Sequence, residues 1–108
     1  MFAIGEKLVR DKIPDLIREA GESPKIRIAD SDELDILLRR KILEEAKEFL
    51  ISGDTEEIVD IQEAIEAILK LRKADSALIE LQRHSKLLAR GGFTKGYVLS
   101  TDQDEWVV

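Results

Sequence analysis

The chain of 108 residues has no cysteine, which excludes disulfide bridges, thiolate nucleophiles and zinc–thiolate sites. It has a single histidine, His84, so a Cys–His metal site is excluded as well. Glycine and proline are few, at six and two residues, and no apolar run approaches the ~18 residues of a membrane span. With no cysteine and one histidine, a metal site in this chain would rely mainly on oxygen ligands.

The charge balance narrows the range of partners. The formal net charge is −6, which argues against a nucleic-acid duplex or an anionic membrane as partner. A small phosphate ligand remains compatible, because metal ions and a few local cations can hold one. The N-terminal stretch "MFAIGEKLVRDKIP" lacks the basic segment and long apolar run of a signal peptide, so we expect a cytoplasmic location.

The hydrophobic pattern is helical over most of the chain, and the connections are short, which favours antiparallel neighbours. We expect one domain over residues 1–108 with an all-α fold, an antiparallel bundle of about four helices. The first predicted helix is short, with Pro14 in its first turn and Gly21 at its end, and the second runs from Ser31 to Leu50 with its cap in "SDE". The third is capped by Asp54 or Thr55 and runs to about Lys73. The fourth is capped by Asp75 and ends at Gly91-Gly92. The prediction allows a short two-stranded β element if "KIRIAD" (25–30) pairs with "YVLS" (97–100).

The second predicted helix places an acid within its apolar face. On a helical wheel with Ile42 at zero, Glu45 falls at about −60°, inside the apolar stripe, and Glu48 at about −120°, at its edge. Glu44 points away from the stripe. The stripe itself consists of Leu34, Leu38, Ile42, Ala46 and Phe49.

The third predicted helix repeats this arrangement. With Ile61 at zero, Glu57 falls at about −40°, the deepest of the acids, and Asp60 at about −100°, at the edge of the stripe. The stripe consists of Ile58, Ile61, Ala64, Ile65 and Ile68. Each helix thus carries one acid in its apolar face and a second acid three residues later on the same flank.

Four carboxylates in such positions need compensation, because an isolated buried carboxylate is disfavoured and close carboxylates repel each other. Protonation, lysine or arginine partners, or a metal ion could supply it. Oxygen-only ligands suit a hard divalent cation, Mg²⁺ or Mn²⁺. The alternative interpretation is that all these acids form the solvated face of a charge-rich bundle.

The acids fall into the segments "EEAKE" (44–48) and "EIVD" (57–60), which resemble the E-E-x-x-E … E-x-x-D motif of the MazG-like all-α nucleoside triphosphate pyrophosphohydrolases. The segments "KLVRDKIPDLI" (7–17) and "RGGFTKG" (90–96) resemble a subgroup of predicted house-cleaning pyrophosphatases for non-canonical nucleotides. The resemblance implies Mg²⁺-dependent hydrolysis of a nucleoside triphosphate to the monophosphate and pyrophosphate. It also implies a helical fold that assembles into homodimers or homotetramers.

Carried over residue by residue, the resemblance implies the metal ligands Glu45, Glu48, Glu57 and Asp60. Glu45 and Glu48 are the candidate catalytic residues, of which one would take the proton from the attacking water. The candidate substrate-binding residues are basic and would neutralise the phosphates: Lys7, Arg10, Lys12, Lys86, Arg90 and Lys95.

Two other functions remain open from the sequence. One is phosphoribosyl-ATP pyrophosphohydrolysis, and the other is a non-catalytic helical oligomerisation module that retains the acids for structure. Because helices of this length form a thin core, we also expect the chain to complete its core as a homo-oligomer.

Overall fold

The structure, a computed structural model, describes residues 5–100. These residues form four α-helices: α1 (Ile13–Glu19), α2 (Ser31–Ser52), α3 (Thr55–Leu71) and α4 (Ser76–Arg90). The all-α prediction is confirmed. The segments 25–30 and 97–100 are neither helix nor strand, and no strand forms anywhere in residues 5–100, so the optional β element is not part of the described fold. None of these helices is both long enough and apolar enough to cross a membrane.

The chain divides into two compact units, Met1–Ala74 and Asp75–Val108. The first unit contains α1, α2 and α3, and the second contains α4. Whether the two units act as one functional domain over 1–108 is still a prediction. Trp106, for which the sequence suggests no clear role, lies outside the described residues.

Local signals set the ends of α1 and α2. Pro14 lies in the first turn of α1, as predicted. The N-cap of α2 is Asp30, whose side chain accepts a hydrogen bond from the Glu33 amide at 2.8 Å, so the expectation of a cap within "SDE" was one residue late. Gly53 ends α2 in the left-handed region at φ 69°, a conformation that glycine adopts without steric cost.

α3 begins directly after this turn, with Asp54 as its N-cap residue. It ends at Leu71 rather than at about Lys73, because Lys73 adopts φ 52° and leaves the helical region. Arg72, just past the end of α3, binds Asp35 near the start of α2 at 2.7 and 2.9 Å. The two helices therefore form an antiparallel hairpin.

The hairpin has a small core. Among the described residues, three apolar side chains are buried, Leu38 from α2 and Ala64 and Ile68 from α3. The predicted stripes were too wide, since Ala46, Ile58 and Ile65 are exposed. Two helices packed against each other cover a narrower arc of each surface than a full bundle does, which explains the difference.

α4 matches its prediction at both ends. Asp75 caps it, accepting hydrogen bonds from the amides of Ala77 and Leu78 at 3.0 and 3.1 Å. Gly91, with φ 81°, ends it. Both signals are local in sequence, which is why this helix could be bounded to the residue.

Candidate metal centre

Three of the predicted acids converge on the α2–α3 hairpin. Glu45 from α2 and Glu57 and Asp60 from α3 each offer one carboxylate oxygen, and these oxygens lie within 4.8 Å of one another. The three-residue spacing of Glu57 and Asp60 puts both on one face of α3. The tight turn at Gly53 brings that face against the end of α2 that carries Glu45. We call these three residues the acidic cluster.

Glu45 is the buried member of the acidic cluster, with 6% of its surface exposed. Its Oε1 lies 3.4 Å from Nζ of Lys41, one turn earlier on α2. Its Oε2 is buried and has no hydrogen-bond partner within the described part of the chain. A buried carboxylate oxygen without a donor is unfavourable in a folded protein, so this atom needs an explanation.

Glu57 is half-buried, and within residues 5–100 no cation forms an ion pair with it. Partial burial, followed by the neighbouring carboxylates of Glu45 and Glu48, raises the pKa of Glu57 from 4.5 to about 7. The helical wheel predicts that Glu57 is the most buried of the acids. This is wrong, because Glu45 is more buried. The surroundings of Glu57 nevertheless disfavour its charged form, which is what its raised pKa means.

Asp60 is the member of the acidic cluster with an arginine partner. Nη2 of Arg10 donates a hydrogen bond to its Oδ1 at 2.6 Å. Arg10 lies before α1, so this pair joins two segments that are far apart in sequence. The sequence predicts a phosphate-binding role for Arg10 and gives no signal of this contact with Asp60.

Glu48, the fourth predicted ligand, is exposed and is not part of the group of oxygens within 4.8 Å. It is still close enough to Glu57 to contribute to the rise in that residue's pKa. Its assignment as a metal ligand therefore remains a prediction. Glu44, which the wheel turned outward, is half-buried.

The remaining predicted cations fall in both units. Lys7 and Lys12 are exposed residues of the first unit. Their role in phosphate binding remains a prediction, as does that of the cations in the second unit, Lys86, Arg90 and Lys95.

Lys41 is a further residue at this site, beyond those predicted from the sequence. It contacts the acidic cluster through Glu45. Its position four residues before Glu45 is the spacing at which lysine and glutamate meet on a helix, so this signal was present in the sequence.

Comparisons with protein-family models, with curated proteins and with solved structures found no match to this chain. The resemblance to the MazG-like hydrolases therefore rests on the four sequence segments and remains a prediction.

The donor set of the acidic cluster fits a hard divalent cation. Three carboxylates offer oxygen ligands of the kind that Mg²⁺ and Mn²⁺ prefer. The unpartnered Oε2 of Glu45 would gain a partner from such an ion, which would also offset the burial and the neighbouring carboxylates that raise the pKa of Glu57. Lys41 contacts the other oxygen of Glu45 and Arg10 contacts an oxygen of Asp60, so neither cation reaches this buried atom.

Proposed function

We propose that the acidic cluster binds Mg²⁺ or Mn²⁺ and that the protein hydrolyses a nucleoside triphosphate to the monophosphate and pyrophosphate. The observation that carries the proposal is the buried, unpartnered Oε2 of Glu45 beside two further carboxylates. A chain that only needed a solvated acidic face would leave all these oxygens in water, where they cost little. The four-segment resemblance supplies the reaction class.

In this proposal Glu45, Glu57 and Asp60 hold the metal. When bound, the ion would supply Lewis acidity, polarising a phosphate oxygen and lowering the pKa of a water molecule. Glu48 is exposed at the edge of the acidic cluster and close to Glu57, a position from which it can accept a proton from water. Arg10 is the cation best placed to meet a phosphate, since it already reaches the acidic cluster through Asp60.

The substrate class follows from the resemblance to the house-cleaning subgroup, which points to a non-canonical nucleoside triphosphate. A triphosphate is strongly anionic, and a bare group of carboxylates would repel it. Metal ions and arginine are both required to reverse this repulsion, so the proposal demands that activity depend on both. The cytoplasmic location expected from the sequence belongs to the same proposal.

The test is pyrophosphate release from a panel of canonical and modified nucleoside triphosphates, with Mg²⁺ and with EDTA. Wild type should release pyrophosphate from at least one nucleotide, and only with the metal. Glu45→Gln should abolish this release, because the amide keeps the shape of the side chain and removes the charged ligand. Glu63→Gln is the matched control, since Glu63 is an exposed acid of α3 outside the acidic cluster, and it should retain wild-type activity.

A second readout separates metal binding from chemistry. A ligand that binds only the folded state raises the unfolding free energy, by about 2.7 kcal/mol when its concentration is 100 times the dissociation constant. Mg²⁺ should therefore raise the melting temperature of wild type and of Glu63→Gln, and leave that of Glu45→Gln unchanged. Stabilisation without hydrolysis of any nucleotide would favour the oligomerisation module, and hydrolysis confined to phosphoribosyl-ATP would favour the biosynthetic alternative.

We further propose that the partner of this chain is a second copy of itself. The buried core is small, and α2 and α3 leave several large apolar side chains exposed: Leu43, Leu50, Ile51 and Val59. A small chain commonly covers such surface by self-association. Sedimentation should show a dimer or tetramer at micromolar concentration, and Leu50→Lys should shift it toward monomer. A wild type that sediments as a monomer would contradict this part of the proposal.

A further inference from the structure

Arg10 contacts the acidic cluster from outside the helical hairpin. Its guanidinium donates to Oδ1 of Asp60 at 2.6 Å, although 50 residues separate the two in sequence. The arginine and aspartate side chains are 54% and 41% exposed, respectively. An exposed pair of this kind usually contributes little to stability, so stability alone gives no strong reason for this long-range contact.

Within the described residues, ion pairs reach Glu45 and Asp60 of the acidic cluster and do not reach Glu57. Lys41 is 3.4 Å from Oε1 of Glu45, on the same helix. Arg10 forms an ion pair with Asp60. Within the described residues, no cation forms an ion pair with Glu57. A divalent ion held by all three carboxylates would therefore have to share Asp60 with a guanidinium that is already bound there.

Sharing is electrostatically unfavourable. A guanidinium in a protein does not relieve such repulsion by losing its proton. Moving away from Asp60 would relieve it. The anion it would then meet, if a substrate is present, is a phosphate group, for which the flat fork of arginine offers two parallel hydrogen bonds.

From this geometry we propose that Arg10 is a placeholder cation, which neutralises Asp60 in the metal-free protein and transfers to a phosphate of the substrate when the metal binds. This inference rests on the metal-binding function proposed above. Arg10 then has two opposite effects on binding. It weakens the binding of metal alone and strengthens the binding of metal together with phosphate, so that the site is filled preferentially by the two in combination.

The test is the binding of Mn²⁺ to the full chain, measured as the loss of the free-ion signal in electron paramagnetic resonance. Titrations are made with Mn²⁺ alone and with inorganic phosphate, each compared with the free-ion signal of the same solution without protein. Arg10→Gln removes the charge of the placeholder. We expect it to bind Mn²⁺ alone about fivefold more tightly than wild type, at the low end of typical coupling between two sites.

Phosphate should have the opposite dependence on Arg10. It should increase the affinity of wild type for Mn²⁺ and have little effect on Arg10→Gln, because the group that receives the phosphate is gone. Arg10→Lys keeps a charge and should fall between the two proteins in both titrations. Arg18→Gln is the matched control, since it removes an exposed arginine that pairs at 2.9 Å with Asp15 on α1, and it should behave as wild type.

The outcomes separate the inference from the function on which it rests. If wild type binds Mn²⁺ and Glu45→Gln does not, but Arg10→Gln binds no more tightly than wild type, the placeholder is overturned and the metal site stands. If neither wild type nor Arg10→Gln binds Mn²⁺, both proposals are overturned. Binding to Arg10→Gln but not to wild type would support the placeholder in its strongest form. Circular dichroism and melting of each variant confirm that folded proteins are being compared.

Discussion

The two ends of the α2–α3 hairpin carry acids in contrasting surroundings. At the open end Asp35 accepts two hydrogen bonds from Arg72, at 2.7 and 2.9 Å, and lies 3.0 Å from Nε of Arg39. These contacts, above all the hydrogen bonds from Arg72, hold the pKa of Asp35 below its usual value. Near the turn, Glu57 has acids for neighbours instead, and its pKa rises to about 7.

The difference shows that this chain does not lack cations for its buried or half-buried acids. It places two arginines on a single aspartate at one end of the hairpin and leaves a glutamate among glutamates at the other. In a chain that pairs Asp35 with two arginines, an acid that is left among other acids is a candidate functional group. The comparison therefore distinguishes an acid paired with arginines from an acid that is a candidate metal ligand.

The largest effect should be on metal binding. Glu45→Gln should weaken Mn²⁺ binding by at least about 100-fold, since even residues that only orient a ligand cost 10–100-fold when changed. Asp35→Asn should leave Mn²⁺ affinity unchanged, because its charge is used by Arg72 and Arg39. Calorimetric titration of both variants measures the contrast. Equal losses in the two variants would remove the distinction between the two ends.

The second effect is on the stability of the metal-free protein, and it should have opposite signs at the two ends. Asp35→Asn should lower the melting temperature in EDTA, because it takes the carboxylate away from two arginines. Glu57→Gln should hold or raise it, because it removes repulsion from Glu45 and Glu48. A lower melting temperature for Glu57→Gln would reveal a cationic partner for this residue and contradict the assignment.

The sequence predicted those features of the site that depend on neighbours within one helix. It did not predict those that depend on residues far apart in the chain. The positions of Glu45 and Glu57 within the apolar faces, and of Asp60 at the edge of its face, followed from helical periodicity, since each is set by neighbours on its own helix. The contact between Arg10 and Asp60 could not be predicted in this way, because it depends on how the segment before α1 folds back onto α3.

The misplaced apolar residues have a different cause. Ala46 and Ile65 satisfy the periodicity and are exposed, because periodicity gives the direction of a buried face and not its width. The width is set by the number of neighbouring helices, which no pattern within one helix contains. The caps of α4, by contrast, are read from Asp75 and Gly91 alone, and they were predicted correctly.

A third effect is the pH dependence of the metal-free protein. The pKa of Glu57 is about 7 in the folded protein and near 4.5 when unfolded, so the folded state binds more protons between these values. Stability in EDTA should therefore fall as the pH rises from 4.5 to 7. The pKa of Asp35 is lowered, so its contribution is present above its unfolded value of 3.8 and is lost as the pH falls below it.

These two slopes lie in separate pH windows and can be assigned by substitution. Glu57→Gln should reduce the loss of stability between pH 4.5 and 7 and leave the loss of stability below pH 3.8 unchanged. Asp35→Asn should reduce the loss below pH 3.8 and leave the loss between pH 4.5 and 7 unchanged. Melting curves across the pH range, all in EDTA, measure both. If Glu57→Gln retained the upper slope, another group would have to be its source.

The smallest effect should come from salt. Raising the ionic strength from about 0.01 M to about 1 M shortens the screening length from about 30 Å to about 3 Å. The stability difference between Glu57→Gln and Asp35→Asn in EDTA should shrink, because salt weakens both the repulsion at one end and the attraction at the other. Differential scanning calorimetry at the two salt concentrations tests this, and a difference independent of salt would indicate a packing effect instead.

The continuity of α3, which carries both acids of the cluster and most of the core, has a consequence for how this sequence can change over evolutionary time. One residue inserted between Asp60 and Ala64 would turn the two parts of α3 by about 100° relative to each other. With Ala64 and Ile68 still packed against Leu38, Glu57 and Asp60 would then face away from Glu45. The acidic cluster and the core thus share one helical register, and a descendant chain that tolerates an insertion here must have rebuilt one of them.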